Sequence, residues 1–139
     1  MKGQCFCGAV KYSLKSDIQG AYLCHCRDCQ YLSGSGYHAL AIVDKNDFKI
    51  DAGIPTKFTH KTQDGSELTR SFCSICGTPL FNTSTRFDDI VMFTINSLDD
   101  PDMVSPTFQI WTSSKVSWAD INLALKSYPY GAMDGNGPP

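Results

Sequence analysis

Along most of this chain, apolar and polar residues alternate with a period of two. Val10, Tyr12 and Leu14 alternate with Lys11 and Ser13, the pattern of a half-buried strand over residues 8–14. Residues 21–23 form a short apolar strand that delivers Cys24. Residues 37–43 form another, ended by Asp44-Lys45-Asn46-Asp47. Phe48-Lys49-Ile50 and Lys57-Phe58-Thr59-His60 alternate again on either side of Asp51-Ala52-Gly53-Ile54-Pro55. Asp64-Gly65 lies between two alternating runs and signals a hairpin, because such turns need positive φ. Residues 68–72, 79–81, 90–95 and 108–111 complete the strands. Helical signals are few. Residues 27–32 fit one or two turns before Ser33-Gly34-Ser35-Gly36 stops them, and residues 118–125 fit a short helix.

Many short strands with turn signals every eight to twelve residues predict a mostly β, antiparallel domain with short helical turns. The 139 residues suit one domain with a real core. We expect it to span residues 1–127, followed by a flexible tail over 128–139 whose Gly, Pro and Asn content suits a frayed end. There is no internal repeat.

Charge and hydropathy narrow the class. A formal net charge of -2 does not suggest a nucleic-acid or anionic-membrane partner. No apolar run approaches the ~20 residues of a membrane span. The start, Met1-Lys2-Gly3-Gln4-Cys5, reaches a motif cysteine at once, so we expect no signal peptide and a cytoplasmic protein. The run Ser97-Leu98-Asp99-Asp100-Pro101-Asp102 lacks a calcium loop's glycine and reads as a turn. Residues 34–36 lack the lysine of a phosphate loop.

Cysteine placement changes the picture most. In a reducing compartment clustered thiols are metal ligands or redox groups rather than disulfides, and seven is an odd number. Cys5 and Cys7, two apart on an extended segment, point to one side. Cys73 and Cys76 have the spacing of a zinc knuckle. Gly8 and Gly77 follow the second cysteine of each pair, where a tight turn calls for positive φ. Two pairs make the four thiolates of a closed structural zinc site that staples the N-terminus to a distant hairpin.

Cys24, Cys26 and Cys29 remain. Three ligands from one loop match catalytic zinc sites, which leave a fourth position open. Three thiolates give a net -1 centre, a poor Lewis acid for making hydroxide from water. Such a centre is better suited to binding a thiol and keeping it nucleophilic. Two other readings stand beside this one. Cys26 and Cys29 alone form a C-x-x-C redox dithiol, although without the βαβ setting such a motif normally has. Alternatively, the triplet is a second structural site completed by His25, His38 or His60; His25, wedged between ligands, is expected to point away.

Neighbouring residues supply candidates for a substrate cleft: Arg27, Gln30 and Tyr31 beside the triplet, Ser35 in the following loop, and Arg70 before the knuckle. The arginines are suited to carboxylates, and the ordinary alternative for Arg27 is pairing with Asp28. Tyr37, His38, His60, Trp111 and Trp118 are expected to serve packing.

Three motifs carry a family resemblance. They are C-x-C-G-x-V-x-Y from Cys5 to Tyr12, C-H-C-x-x-C-x-x-x-x-G from Cys24 to Gly34, and F-C-x-x-C-G-T-x-L from Phe72 to Leu80. With the stretch from Gln109 to Trp118, they resemble the glutathione-dependent formaldehyde-activating enzyme family over about residues 3–129. All seven cysteines fall on motif positions. The resemblance implies a zinc-ribbon-like β-tent fold and two zincs per chain, a structural one on Cys5, Cys7, Cys73 and Cys76 and a catalytic one on Cys24, Cys26 and Cys29. It implies a carbon–sulfur lyase that joins glutathione, or a similar thiol, to formaldehyde through a zinc-bound thiolate, with donors from residues 33–36 stabilising the alkoxide. Small-molecule thiol and aldehyde would be its partners. The alternatives are a non-catalytic zinc-binding interaction module and a thiol redox protein using Cys26 and Cys29.

Overall fold

The computed structural model describes residues 1–15, 17–119 and 124–131. Eleven strands and one α-helix are found among these residues. The strands are β1 (Lys2–Gln4), β2 (Lys11–Leu14), β3 (Gly20–Cys24), β4 (His38–Asp44), β5 (Phe48–Ala52), β6 (Thr56–Lys61), β7 (Glu67–Phe72), β8 (Pro79–Ser84), β9 (Ile90–Thr94), β10 (Phe108–Ile110) and β11 (Lys126–Ser127). Helix α1 (Arg27–Ser33) follows β3. A small sheet has the order β1-β2-β5, and a large one the order β11-β10-β3-β4-β9-β8-β7-β6.

The alternation read from sequence sorts the faces of the large sheet. Ala41, Val43, Val91 and Phe93 point to one side and pack with Tyr12 and Leu14 of the small sheet in the main core. Phe48 stacks on Tyr12 with ring centroids 5.1 Å apart and lies 4.7 Å from Phe81, closing the gap between the sheets. Buried at the centre, the Tyr12 hydroxyl is 2.7 Å from Ser97 Oγ, so its polar end is satisfied. The opposite face carries Tyr22, Cys24 and Leu40, which with Cys29 form a second, smaller cluster. One face makes the core and the other makes the cleft.

The fold is mostly β, as the periodicity predicts, with two differences. β10 runs parallel to both β3 and β11, while the other pairs are antiparallel. After β9 the chain passes through short 3-10 turns at Ile95–Ser97 and Pro101–Met103 and returns to the free edge of β3. Strand β1 has no alternating signal because it is three residues long and only Gly3 is buried. A Cβ on Gly3 would lie 2.3 Å from Tyr12 Cζ, so only glycine fits there. Residues 120–123 of the predicted helix over residues 118–125 lie outside the described residues. Of the predicted tail, residues 132–139 lie outside them too, whereas the carbonyls of Tyr128, Pro129 and Tyr130 accept hydrogen bonds from Thr112, Ser113 and Trp111. No helix among the described residues is long and apolar enough to cross a membrane.

Candidate metal centres and the cleft between strands

Two loops meet at the first cysteine cluster. In each, the glycine after the second cysteine donates its N–H to the carbonyl of the first: Gly8 to Cys5 at 2.9 Å and Gly77 to Cys73 at 2.9 Å. Both glycines have the positive φ expected of them, 77° and 75°. Phe6 N–H donates to Thr78 Oγ1 across the gap at 3.0 Å and ties the two turns together. The four sulfurs of Cys5, Cys7, Cys73 and Cys76 lie within 4.8 Å of one another. Cys5 and Cys7 are 3.6 Å apart and Cys7 and Cys73 are 3.7 Å apart. A tetrahedron of sulfurs with ~2.3 Å metal bonds has edges of about 3.8 Å, so the spacing fits a four-thiolate ion. N–H groups of Val10 and Ile75 point at Cys5 and Cys73. The Thr78 hydroxyl holds the Cys76 thiol down to about 5. The inner side of the cluster is part of the core, since Cys5 and Cys73 are buried within it.

The second cluster forms where β3 ends. Cys24 is its last residue, Cys26 caps α1, and Cys29 sits one turn into the helix, its N–H directed at Cys26 Sγ at 3.4 Å. The three sulfurs again lie within 4.8 Å of one another, with Cys24 and Cys29 buried and Cys26 half-buried. Three thiols this close share protons unequally. Hydrogen bonds from Cys24 and then Cys29 hold Cys26 down to about 2. The Cys24 thiol is pushed well up by its hydrogen bonds to Cys26 and Cys29 and by burial. Cys29 rises to about 12, because the lowering effect of its hydrogen bond with Cys24 is outweighed by Cys26 and burial. A cation entering the cluster would displace the protons these thiols carry. Both donor sets are all sulfur and suit a soft or borderline divalent ion.

Over this second cluster lies a cleft of about 310 Å³ that also reaches Tyr22, Leu40, Arg70, Asn82, Met92 and Trp111. Arg70 lies with its guanidinium beside the sulfurs. It is 5% exposed, and both terminal guanidinium nitrogens are 3.8 Å from Cys29 Sγ. Its Nε is 3.4 Å from His60 Nε2. Asn82, opposite Arg70 in register on the neighbouring strand, is buried and lines the same cleft.

The residues flanking the cysteines divide. Arg27 lines the cleft, but its guanidinium hydrogen-bonds Gln30 Oε1 and lies 4.7 Å over the Tyr31 ring rather than pairing with Asp28. The Asp28 carboxylate is instead 4.0 Å from His60. Gln30 is buried behind the cluster, where its Nε2 donates to the carbonyls of His25 and Ser114 at 2.7 and 3.0 Å. Ser35 is exposed, its N–H donating to Ser33 Oγ, and neither serine lines the cleft. His25 points away from the sulfurs, as its place between ligands suggests. It is fully buried, with Nε2 2.9 Å from Gln109 Oε1. Trp111 packs against the second cluster, as expected, and does more. It is a wall of the cleft and holds φ 58°, ψ 37°, the one non-glycine residue with positive φ among those described. Backbone strain of this kind gathers at functional sites. No sequence signal marks it, since αL geometry at a tryptophan has no local code.

Fold and site together define a small, mostly β domain with two cysteine clusters able to hold metal ions, one closed by four thiols and one of three thiols opening on a cleft. The chain belongs to the glutathione-dependent formaldehyde-activating enzyme (GFA) family, whose profile it matches over residues 1–114. No curated protein sequence matches it. Among solved structures it is similar to the crystal structure of a Rhodobacter sphaeroides protein, a Northeast Structural Genomics target. The TM-score is 0.61 at 21% identity, over 76% of this chain and 97% of that one, a likeness of fold.

Proposed function

We propose that this protein is a zinc-dependent carbon–sulfur lyase that joins a thiol to an aldehyde, with glutathione and formaldehyde the pair its family name specifies. The observation that carries the reading is the three-cysteine cluster, one ligand short of a tetrahedron, placed against a cleft while the four-cysteine cluster is complete. Cys5, Cys7, Cys73 and Cys76 would hold a structural zinc, and Cys24, Cys26 and Cys29 a catalytic one. When bound there, zinc supplies an open position that keeps a fourth sulfur deprotonated yet nucleophilic.

The chain's own residues do the rest. Tyr22, Leu40 and Met92 form an apolar floor that excludes water and strengthens every charge interaction above it. The substrate thiol gives its proton to solvent, which later returns one to the alkoxide, and the sulfur lone pair attacks the aldehyde carbon. A carbon–sulfur bond forms as the carbonyl π pair moves to oxygen, and the resulting alkoxide takes up a proton to give the hydroxyalkyl thioether. Arg70 and Asn82 face this space with N–H donors and stabilise the alkoxide as charge develops. Arg70 also offsets the excess negative charge of three thiolates. Seven unpaired thiols suit a reducing cytoplasm.

The test is formation of S-hydroxymethylglutathione from glutathione and formaldehyde, followed by NMR against the uncatalysed rate, alongside thiol titration of the cobalt-substituted protein. Acceleration with a thiol-dependent change in the cobalt spectrum supports the reading. If no thiol perturbs the metal, the lyase reading is wrong.

A further inference from the structure

The cleft over the three cysteines continues into a second cavity of about 390 Å³, and Tyr22, Leu68, Met92 and Trp111 line both. The second cavity leads away from the sulfurs over Ile42, Ile90, Phe108 and Ile110. Strand register accounts for this path. Side chains two apart on a strand share a face at a spacing of about 6.6 Å. Cys24, Tyr22 and Gly20 therefore line up on β3, and opposite them His38, Leu40 and Ile42 on β4. Leu40 lines the first cavity and Ile42 the second, so a molecule beginning at the cysteines and following the strands enters the groove after a single step. Phe108 stacks on Tyr22 with centroids 5.4 Å apart and forms its side wall.

Gly20 adjoins this floor, beside Ile42 and Phe108. A Cβ there would lie 3.7 Å from Ile42 Cδ1 and 3.7 Å from Phe108 Cε1, so any larger side chain would grow into the space between them. The charged groups of the groove are already paired: Arg86 is bound to Asp64 at the rim. In the cleft, Arg27 is engaged by Gln30 and Tyr31, and Arg70 faces Cys29 and His60. Glutathione would bring two carboxylates and an ammonium to a lining of this kind. An alkyl or aryl group would meet mostly apolar surface, with Thr62, Gln63, Ser66 and Ser84 the uncharged polar residues of the groove.

Resting on the thiol–aldehyde reading above, we propose that the thiol substrate of this protein carries an apolar alkyl or aryl group, which occupies the groove over Tyr22, Ile42 and Phe108 while its sulfur lies among Cys24, Cys26 and Cys29. The groove thereby selects the thiol by chain length. Each methylene that enters it strengthens binding about fourfold.

Titration of the cobalt-substituted full chain with ethanethiol, 1-butanethiol, 1-hexanethiol and glutathione tests this, read by the thiolate-to-cobalt charge-transfer band. The expected result is a Kd falling about fourfold per methylene along the series, with 1-hexanethiol bound more tightly than glutathione. In Gly20→Leu, checked for folding by circular dichroism and for two cobalt ions per chain, the dependence on chain length disappears. If that variant does not fold, the series on the natural protein decides alone. A flat series, or glutathione bound more tightly than 1-hexanethiol, overturns the apolar thiol and leaves the lyase reading standing. If none of the four thiols changes the spectrum, both fall.

Discussion

Both terminal nitrogens of Arg70 lie 3.8 Å from the sulfur of Cys29, a buried cation held against a cluster of thiols. Its strand partner across β7 and β8, Asn82, lines the same cleft. On the lyase reading, a charge in this position would serve two purposes. It makes a three-thiolate centre tolerable away from water, and it offers donors to an oxygen that becomes negative during reaction. Arg70→Met should lower kcat/KM for adduct formation by about a hundredfold, the effect of losing an oxyanion donor. Arg70→Lys keeps the charge without the two-pronged geometry and should recover only part of that loss. Steady-state kinetics with metal content measured on each variant decides this, and unchanged kinetics in Arg70→Met would remove Arg70 from the chemistry.

The two cysteine clusters should respond differently to the loss of one ligand. Cys5 and Cys73 sit inside the main core, and their cluster joins the segment after β1 to the β7–β8 hairpin, across about half of the chain. Cys76→Ser should therefore lower the melting temperature sharply as well as losing one zinc, because structural metal binding is folding free energy. The Cys24, Cys26 and Cys29 cluster lies on the other face, on contiguous chain. Cys29→Ser should lose one of two zincs and all activity while melting within a few degrees of the parent. Elemental analysis and thermal denaturation on the two variants make the comparison. Equal destabilisation by both would mean that the second cluster is structural too.

Much of this arrangement was legible in the order of residues, and the rest has an identifiable reason for being hidden. Alternation located nearly every long strand, since one face of the large sheet packs on the core and the other lines the cleft. Asp64-Gly65 marked the hairpin, with Gly65 at φ 85°. Spacing grouped the cysteines into two pairs and a triplet, because ligands from one turn or one loop must be neighbours in sequence, and counting ligands joined the two pairs. The cleft was much less legible. Its walls come from β3, β4, β7, β8, β9 and the segment after β10, brought together by register between strands up to ninety positions apart. Arg70 meets Cys29 only because β7 is placed across the sheet from α1. The parallel entry of β10 beside β3 depends on turns that carry no strand signal, and Trp111 takes its αL geometry from that setting.

Gly53 should be the costliest glycine to replace among those in turns. It has φ +78°, and a Cβ would lie 2.2 Å from the Ala9 carbonyl oxygen, where the turn after β5 meets the chain entering β2. Gly34, the C-cap of α1, has φ +66° with nothing within 4 Å of its Cβ position. Both substitutions to alanine carry the αL penalty of about 1–2 kcal/mol. Gly53→Ala adds a backbone clash that the flanking strands must move to relieve, for a total of about 3–4 kcal/mol. Urea unfolding of the two variants measures the difference, and equal midpoints would show that the Ala9 turn yields freely.

Acid should weaken the fold through His38. Its ring is 4% exposed, Nε2 is 3.0 Å from Thr94 Oγ1, and Nδ1 has no hydrogen-bond partner among the described residues. Burial, and secondarily the nearby Arg70 charge, hold its pKa down to about 4, against 6.5 for an unperturbed histidine. Between those values the unfolded chain binds the proton and the folded one does not, so stability falls as pH falls. The contribution is complete above about pH 6.5 and is progressively lost toward pH 4. From pH 7.5 to pH 5 it amounts to about 2 kcal/mol. Protonation of the cysteine ligands also weakens the protein in acid, so the comparison must be made against His38→Gln, which keeps a donor for Thr94 and cannot titrate. Urea unfolding at both pH values should show the parent losing about 2 kcal/mol more than the variant. Equal losses would mean that His38 is already charged in the folded protein at pH 5, with its second ring nitrogen satisfied.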